Sequence, residues 1–239
     1  MVAMNLELDE RPQRPIIIEG FPGFGFVSTI ATEFLVKHLN AKSIGRITSD
    51  KIMPVAAIHK SKVIYPLEIF YDKKTNIVIV EAITPVDKLE WEIADILNKL
   101  AKELKAKEVI GLEGIASPQG VKEPGVFFYG NREDKKKSML NLNLKPLDEG
   151  IIVGVTGALI LKMKEPPLSC LFVETHSKLP DNKGAAKLIE TLDKYLGLTI
   201  DYVPLVKKAQ EVEEKLKGLL SQLSEVKEEK AKKELSYMG

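Results

Sequence analysis

Four runs of β-like residues end in glutamate: "IIIEG" at Glu19, "VIVEA" at Glu81, "IGLEG" at Glu113 and "LFVET" at Glu174. Ligands of open α/β sheets bind outside the carboxyl ends of the strands. Four carboxylates placed there could converge on one rim, as a metal site or an acid/base pair. The same residues could instead cap helix N-termini or accept hydrogen bonds from loop N–H groups. The second reading is favoured, because nothing nearby completes a mechanism. His176 lies close to Glu174, but His38 and His59 are scattered, and there is no G-x-S-x-G elbow, Cys/His pair or zinc-type spacing.

A second candidate is the turn "EGFPGFGF", where Gly20, Gly23 and Gly25 give G-x-x-G-x-G. A dinucleotide site needs G-x-G-x-x-G, so that backbone N–H groups approach the pyrophosphate, and an acidic residue about 20 positions on. Here Pro22 removes one donor, the downstream stretch reads "SIGRITSD", and no Walker-type G-x-x-x-x-G-K-[ST] follows. An anion site and a tight structural turn both remain open. The pattern fits better with Gly20, Pro22, Gly23 and Gly25 as a structural strand-to-helix turn.

Composition narrows the classes. The 239 residues carry 35 basic and 34 acidic side chains, for a formal net charge of +1. That balance gives no electrostatic reason to expect nucleic acid or an anionic membrane as partner. The lone Cys170 excludes an intramolecular disulfide and fits a reducing cytoplasm. The Lys/Glu-rich make-up suits a thermophile. The N-terminal "MVAMNLELDERPQRP" turns charged before any apolar region develops, unlike a signal peptide. The longest apolar stretch, 151–161, falls short of the roughly 20 residues a membrane span needs. A cytoplasmic protein is expected, with no membrane and no nucleic-acid partner.

Strand-like and helix-like patterns alternate and would position these residues. Strands are expected at 16–18, 43–47, 76–82, 107–114 and 168–175, with an extended segment at 125–130 and antiparallel runs between 55 and 71. Helical spacing follows the glycine turn at Ile30, Phe34, Leu35 and Leu39. It recurs over 86–104 through Leu89, Ile93, Ile96, Leu97, Leu100 and Leu104, and over 182–197, closed by Gly197. Residues 149–163 are expected to pass from strand into helix, and "NREDKKKS" (131–138) to be a solvated loop. The implied fold is a three-layer α/β/α sandwich with a largely parallel central sheet over residues 1–200.

Residues 201–239 differ in character. Pro204 sits where a helix would start. Ala209, Val212, Leu216, Leu219, Leu223 and Val226 then alternate three and four apart, an a/d seam for packing against another protomer or against the parent domain. The seam lapses after Val226, where Lys230 and Lys233 fall in register. A long C-terminal helix ending in a polar tail is expected.

Taken together, "GFPGFGFVSTIATEFLV", "SDKIMPVAAIHKSKVIYPLEIFYD", "EGIASP", "GVTGALI" and "FVETHSKLPD" follow one another in an order that resembles the proteasome assembly chaperone family. The likeness is to its archaeal PbaA/PbaB form, the PbaB side being the expectation, and covers roughly residues 14–197. It implies an α/β/α domain without known catalysis or cofactor. It also implies self-association into a homo-oligomer, a tetramer being one size it could take, and the 20S proteasome α-subunits or α-ring as partner. The function implied is ATP-independent assembly of that ring, activation of the proteasome, or both. The alternative is a small-molecule enzyme using the strand-end carboxylates. Proteasome-binding tails of this kind end in hydrophobic–Tyr–any, with the tyrosine and terminal carboxylate entering a pocket between α-subunits. Here the chain ends Leu235, Ser236, Tyr237, Met238, Gly239. Tyr237 is therefore third from last instead of second, and Ser236 takes the hydrophobic place.

Overall fold

The structure, a computed structural model, describes residues 4–54, 56–59, 61–117, 123–175 and 179–207, with backbone only at 57, 59 and 62. Val212, Leu216, Leu219, Leu223 and Val226 of the predicted seam, the tail residues 235–239 and His176 lie outside the described residues.

Among the described residues there are eleven strands: β1 (Asn5–Leu8), β2 (Ile16–Gly20), β3 (Lys42–Thr48), β4 (Ala57–His59), β5 (Lys62–Ile64), β6 (Leu67–Asp72), β7 (Ile77–Ala82), β8 (Glu108–Ala116), β9 (Val126–Gly130), β10 (Lys145–Pro146) and β11 (Leu168–Thr175). Helices α1 (Val27–His38), α2 (Glu90–Glu103), α3 (Glu133–Asn141), α4 (Gly154–Lys162) and α5 (Asn182–Leu196) accompany them. Nine strands form one sheet in the order β1-β3-β6-β7-β2-β8-β11-β9-β10, and β4 pairs with β5 in a separate hairpin. The parallel part is the centre, β7-β2-β8-β11, where near-continuous apolar runs are covered on both faces. Outward the flanks turn antiparallel, through β6, β3 and β1 on one side and β9 on the other.

Side chains alternate between two cores. Ile17, Val78, Val80, Val109, Cys170 and Phe172 face α2 and α4, against Ile93, Leu97, Leu100 and Leu159. Ile18, Ile79, Ile110, Leu112, Leu171 and Val173 face α1 and α5, against Ala31, Leu35, Leu188 and Leu192. The sandwich thus has three layers. The chain stays packed past residue 200: a helical turn begins at 203, and Ile200 and Leu205 are buried in the α1/α5 layer.

Three local expectations need correction. Within the expected loop 131–138, residues 133–138 belong instead to α3, which lacks a broad apolar face. Glu133 and Asp134 lie in its first turn, Lys136 pairs with Glu133 at 2.6 Å, and Met139 alone anchors it in the core. Residues 149–153 form no strand: Ile151 is 92% exposed, and α4 starts directly at Gly154, whose φ is +80°. α2 begins at Glu90, four residues later than periodicity suggests, because Lys88 adopts the left-handed conformation with φ of 68°.

Candidate functional site

The alternation that builds two cores also divides the four glutamates. Glu19, Glu113 and Glu174 fall in step with Ile17, Val109 and Phe172, on the α2/α4 face. Glu81 falls in step with Ile77 and Ile79, on the α1/α5 face. The single rim of four carboxylates is therefore not formed. Glu81 is buried beneath α1, where desolvation, with Glu33 adding to it, raises its pKa to about 7. Glu174 is occupied elsewhere: its carboxylate accepts the Gly125 N–H at 2.9 Å, and its own N–H donates to the Gly125 carbonyl at 3.0 Å.

Glu19 and Glu113 do meet. Glu19 is fully buried, opposite Gly111 in the β2–β8 ladder. A Cβ at Gly111 would stand 2.7 Å from Glu19 Oε1, so the missing side chain is what admits the carboxyl. Thr156, in the first turn of α4, lies between the acids, 3.1 Å from Glu19 Oε1 and 3.3 Å from Glu113 Oε2. One hydroxyl carries one proton, so it can donate to only one of them at a time. The second contact is a hydrogen bond only when the other carboxyl is protonated and donates in turn. Burial agrees. It raises Glu19 to about 8, with the charge of Glu113 adding to it and Thr156 opposing. Glu113, which also accepts the Gly114 N–H at 3.1 Å, is raised by burial to about 7. Glu19 Oε2 is buried with no hydrogen-bond partner. The neighbouring Cys170 thiol is pushed up by burial and by both acids, which keeps it protonated.

The glycine turn forms one wall beside this pair. A Cβ at Gly20 would press on Thr32 and the Ser28 carbonyl of α1, and one at Gly23 would collide with the Glu113 carboxylate. Gly25 has φ of +62°, in a 3-10 turn at 24–26, and Phe26 follows at φ 50°, also left-handed. The turn is bound to its surroundings by few but short bonds. Ser28 Oγ donates to the Phe21 carbonyl at 2.6 Å, and the Asp181 N–H donates to the Gly25 carbonyl at 2.8 Å. Asp181 in turn caps α5, accepting from the Gly184 N–H at 2.8 Å and from the Thr175 hydroxyl at 2.8 Å. Pro22 lies in the wall without a donor to offer.

Between the turn, the end of β8 and the segment 147–155 lies a cavity of about 840 Å³. Glu113 is at its floor, and Phe21, Leu147, Ile152 and Val155 supply much of its apolar wall. Phe24 and Ile151 stand at its edge, 43% and 92% exposed. Thr156, Gly111 and the segment 147–155 were not singled out from the sequence as site residues. The available signal was weak: a threonine at the third position of a small-residue helix, following three apolar residues that make no strand. Among the described residues, no group of three or more His, Cys, Asp or Glu side chains is placed to hold a metal ion. Among those residues, no helix is long and apolar enough to cross a membrane.

The model of the PAC2 family matches residues 17–220. The chain belongs to the PAC2 family. Among PAC2-like structures, Pyrococcus furiosus PbaA, an archaeal homolog of proteasome-assembly chaperone, superposes with a TM-score of 0.86 at 32% identity, covering 97% of each chain. Pyrococcus furiosus PbaB, an archaeal proteasome activator, follows with 0.79 at 29% identity, over 92% of this chain and 99% of that one. Of the two, PbaA is the more similar by both measures. The uncharacterized protein MJ0106 of Methanocaldococcus jannaschii is 31% identical over 212 residues, 88% of this chain and 87% of its own length.

Proposed function

We propose that this PAC2-family protein is a non-enzymatic proteasome assembly chaperone, a proteasome activator, or both, and that it acts on the 20S α-ring without ATP or metal. The observation that carries the reading is the likeness to PbaA and PbaB over nearly the whole of each chain, at identities of 32% and 29%. The mode of action is multivalent. A homo-oligomer of the α/β/α body presents several C-terminal segments, and each places Tyr237 and Met238 between neighbouring α-subunits. One such tail binds weakly, because ordering it costs conformational entropy. Several tails on one assembly gain through effective concentration when their spacing matches the ring. The seam at Val212, Leu216, Leu219, Leu223 and Val226 holds the segments together or against the body. The strand-end glutamates support the rival enzyme less well, since Glu81 lies on the other face and Glu174 is engaged with Gly125.

The test is surface plasmon resonance on immobilised α-subunits, comparing the full chain with one lacking residues 237–239. Sharply weaker binding with unchanged oligomeric mass is expected; unchanged affinity refutes tail docking. A Leu216→Glu, Leu219→Glu double variant should lower the mass in light scattering if the seam joins protomers.

A further inference from the structure

The cavity beside Glu113 has the attributes of a small-molecule site, and its chemistry narrows what it can take. Its roughly 840 Å³ falls within the range of ligand pockets, and it opens at the carboxyl end of the parallel strands, where ligands of such sheets bind. Among the described residues, the charged groups in its lining are Asp87, Glu90, Glu113 and Glu149, with no Lys, Arg or His beside them. An anionic ligand would meet four carboxylates and lose its hydration to an apolar wall. A metal ion finds no set of three ligands among the described residues. A hydrogen-bond donor fares better. Among the described residues, Glu113 at the floor is held by the Gly114 N–H and the shared Thr156 hydroxyl alone, and behind it Glu19 Oε2 has no partner. Glu113 thus keeps acceptor capacity that the described residues leave unfilled, next to Phe21, Ile152 and Val155.

We propose that this cavity binds a small organic cation, an ammonium group carried on an apolar body. Its N–H groups reach Glu113, and its hydrocarbon lies against Phe21, Phe24 and Ile152. The acids of the mouth, Asp87, Glu90 and Glu149, attract the cation before it is desolvated. The site is independent of ring binding, so it is probed on the full chain without proteasome.

Calorimetry with phenethylammonium, phenylethanol and phenylacetate separates charge from hydrophobicity, since the three share one apolar body. Saturable binding of phenethylammonium at one site per chain is expected, at least about tenfold tighter than phenylethanol, with phenylacetate weakest. Glu113→Gln should lower the phenethylammonium affinity by about 10- to 100-fold, the scale of one charge-assisted hydrogen bond, and remove its preference over the alcohol. If that variant does not fold, Val153→Arg decides: it sets a cation at the exposed edge of the cavity and should weaken phenethylammonium selectively. Absence of binding by all three probes, equal binding of all three, or a folded Glu113→Gln that retains the preference overturns the proposal. So does wild-type binding by Val153→Arg where that variant decides.

Discussion

Replacing Glu19 with glutamine should make the protein more stable, and increasingly so as pH rises. The folded-state pKa of Glu19 is about 8 against an ordinary value of 4.5. Between those values the folded chain holds a proton that the unfolded chain has released, so stability falls as pH climbs through this window. Each unit is worth about 1.4 kcal/mol, which puts the burden at about 3 kcal/mol near pH 7 and about 5 kcal/mol near pH 9. The residue is fully buried, so solvent screening does not reduce it. Glutamine keeps the Oε1 acceptor for Thr156 and cannot ionise. Near pH 5 the wild-type carboxyl is protonated in the fold and resembles the amide, so the two proteins should differ by less than about 1 kcal/mol. Guanidinium unfolding followed by far-UV circular dichroism near pH 5, 7 and 9 gives the three differences. Glu113 and Glu81, each raised to about 7, remain in the variant and preserve a slope below that pH. A difference that stays flat with pH, or a variant less stable near pH 9, refutes the argument that Glu19 is held protonated by burial.

Asp181→Ala removes the α5 cap and the Thr175 contact together, and should cost about 1–2 kcal/mol of unfolding free energy in the same assay. Glu108→Ala should be more damaging, about 3–5 kcal/mol, because it strands Lys135, Ser169 and Tyr195, which surround its carboxylate at 2.6, 2.5 and 2.8 Å. Phe26→Asn should raise the melting temperature slightly, by relieving about 1 kcal/mol of left-handed strain, since the phenylalanine ring is 40% exposed and recovers little by burial.

Elements with a strong apolar period were legible in the sequence, and those held by other forces were not. β7 and α2 announce themselves, the first as an uninterrupted apolar run and the second by Ile93, Leu97 and Leu100 on one stripe. α3 is held by terminal charges, a Glu133–Lys136 pair and the single anchor Met139, so a reading by hydrophobic period finds only a solvated segment. β1 is four residues long and joins β3 at the far edge of the sheet, a placement set by pairing instead of local preference. Strand ends carry a related difficulty. That all four glutamates end strands was readable, but which face each takes depends on register. A shift of one residue in phase puts Glu81 under α1 while Glu19 and Glu113 converge across the sheet. Thr156 could not be found from spacing alone, because it reaches Glu19 from 137 residues away.

Buried acids in this fold are handled in two ways, and the difference follows location. A carboxyl removed from water must be paired or protonated. Glu108, where β8 begins, is paired: lysine, serine and tyrosine complete its hydrogen bonds, and the surroundings are closed by α3 and α5. At the other end of the sheet Glu19 and Glu113 share one threonine, the charge of Glu113 adds to the burden on Glu19, and one Glu19 oxygen has no partner among the described residues. Stability alone would place an apolar side chain at position 19, among Ile17, Val80 and Val109. The core is therefore weakened where the surface is concave and the charge of its described lining is of one sign, which is the arrangement expected of a site that a ligand completes. Grip through C-terminal segments makes no such demand, since any rigid body would carry them. The proposed ligand site and the proposed docking tail are thus separable hypotheses about one chain, the first testable on the cavity and the second on the ring.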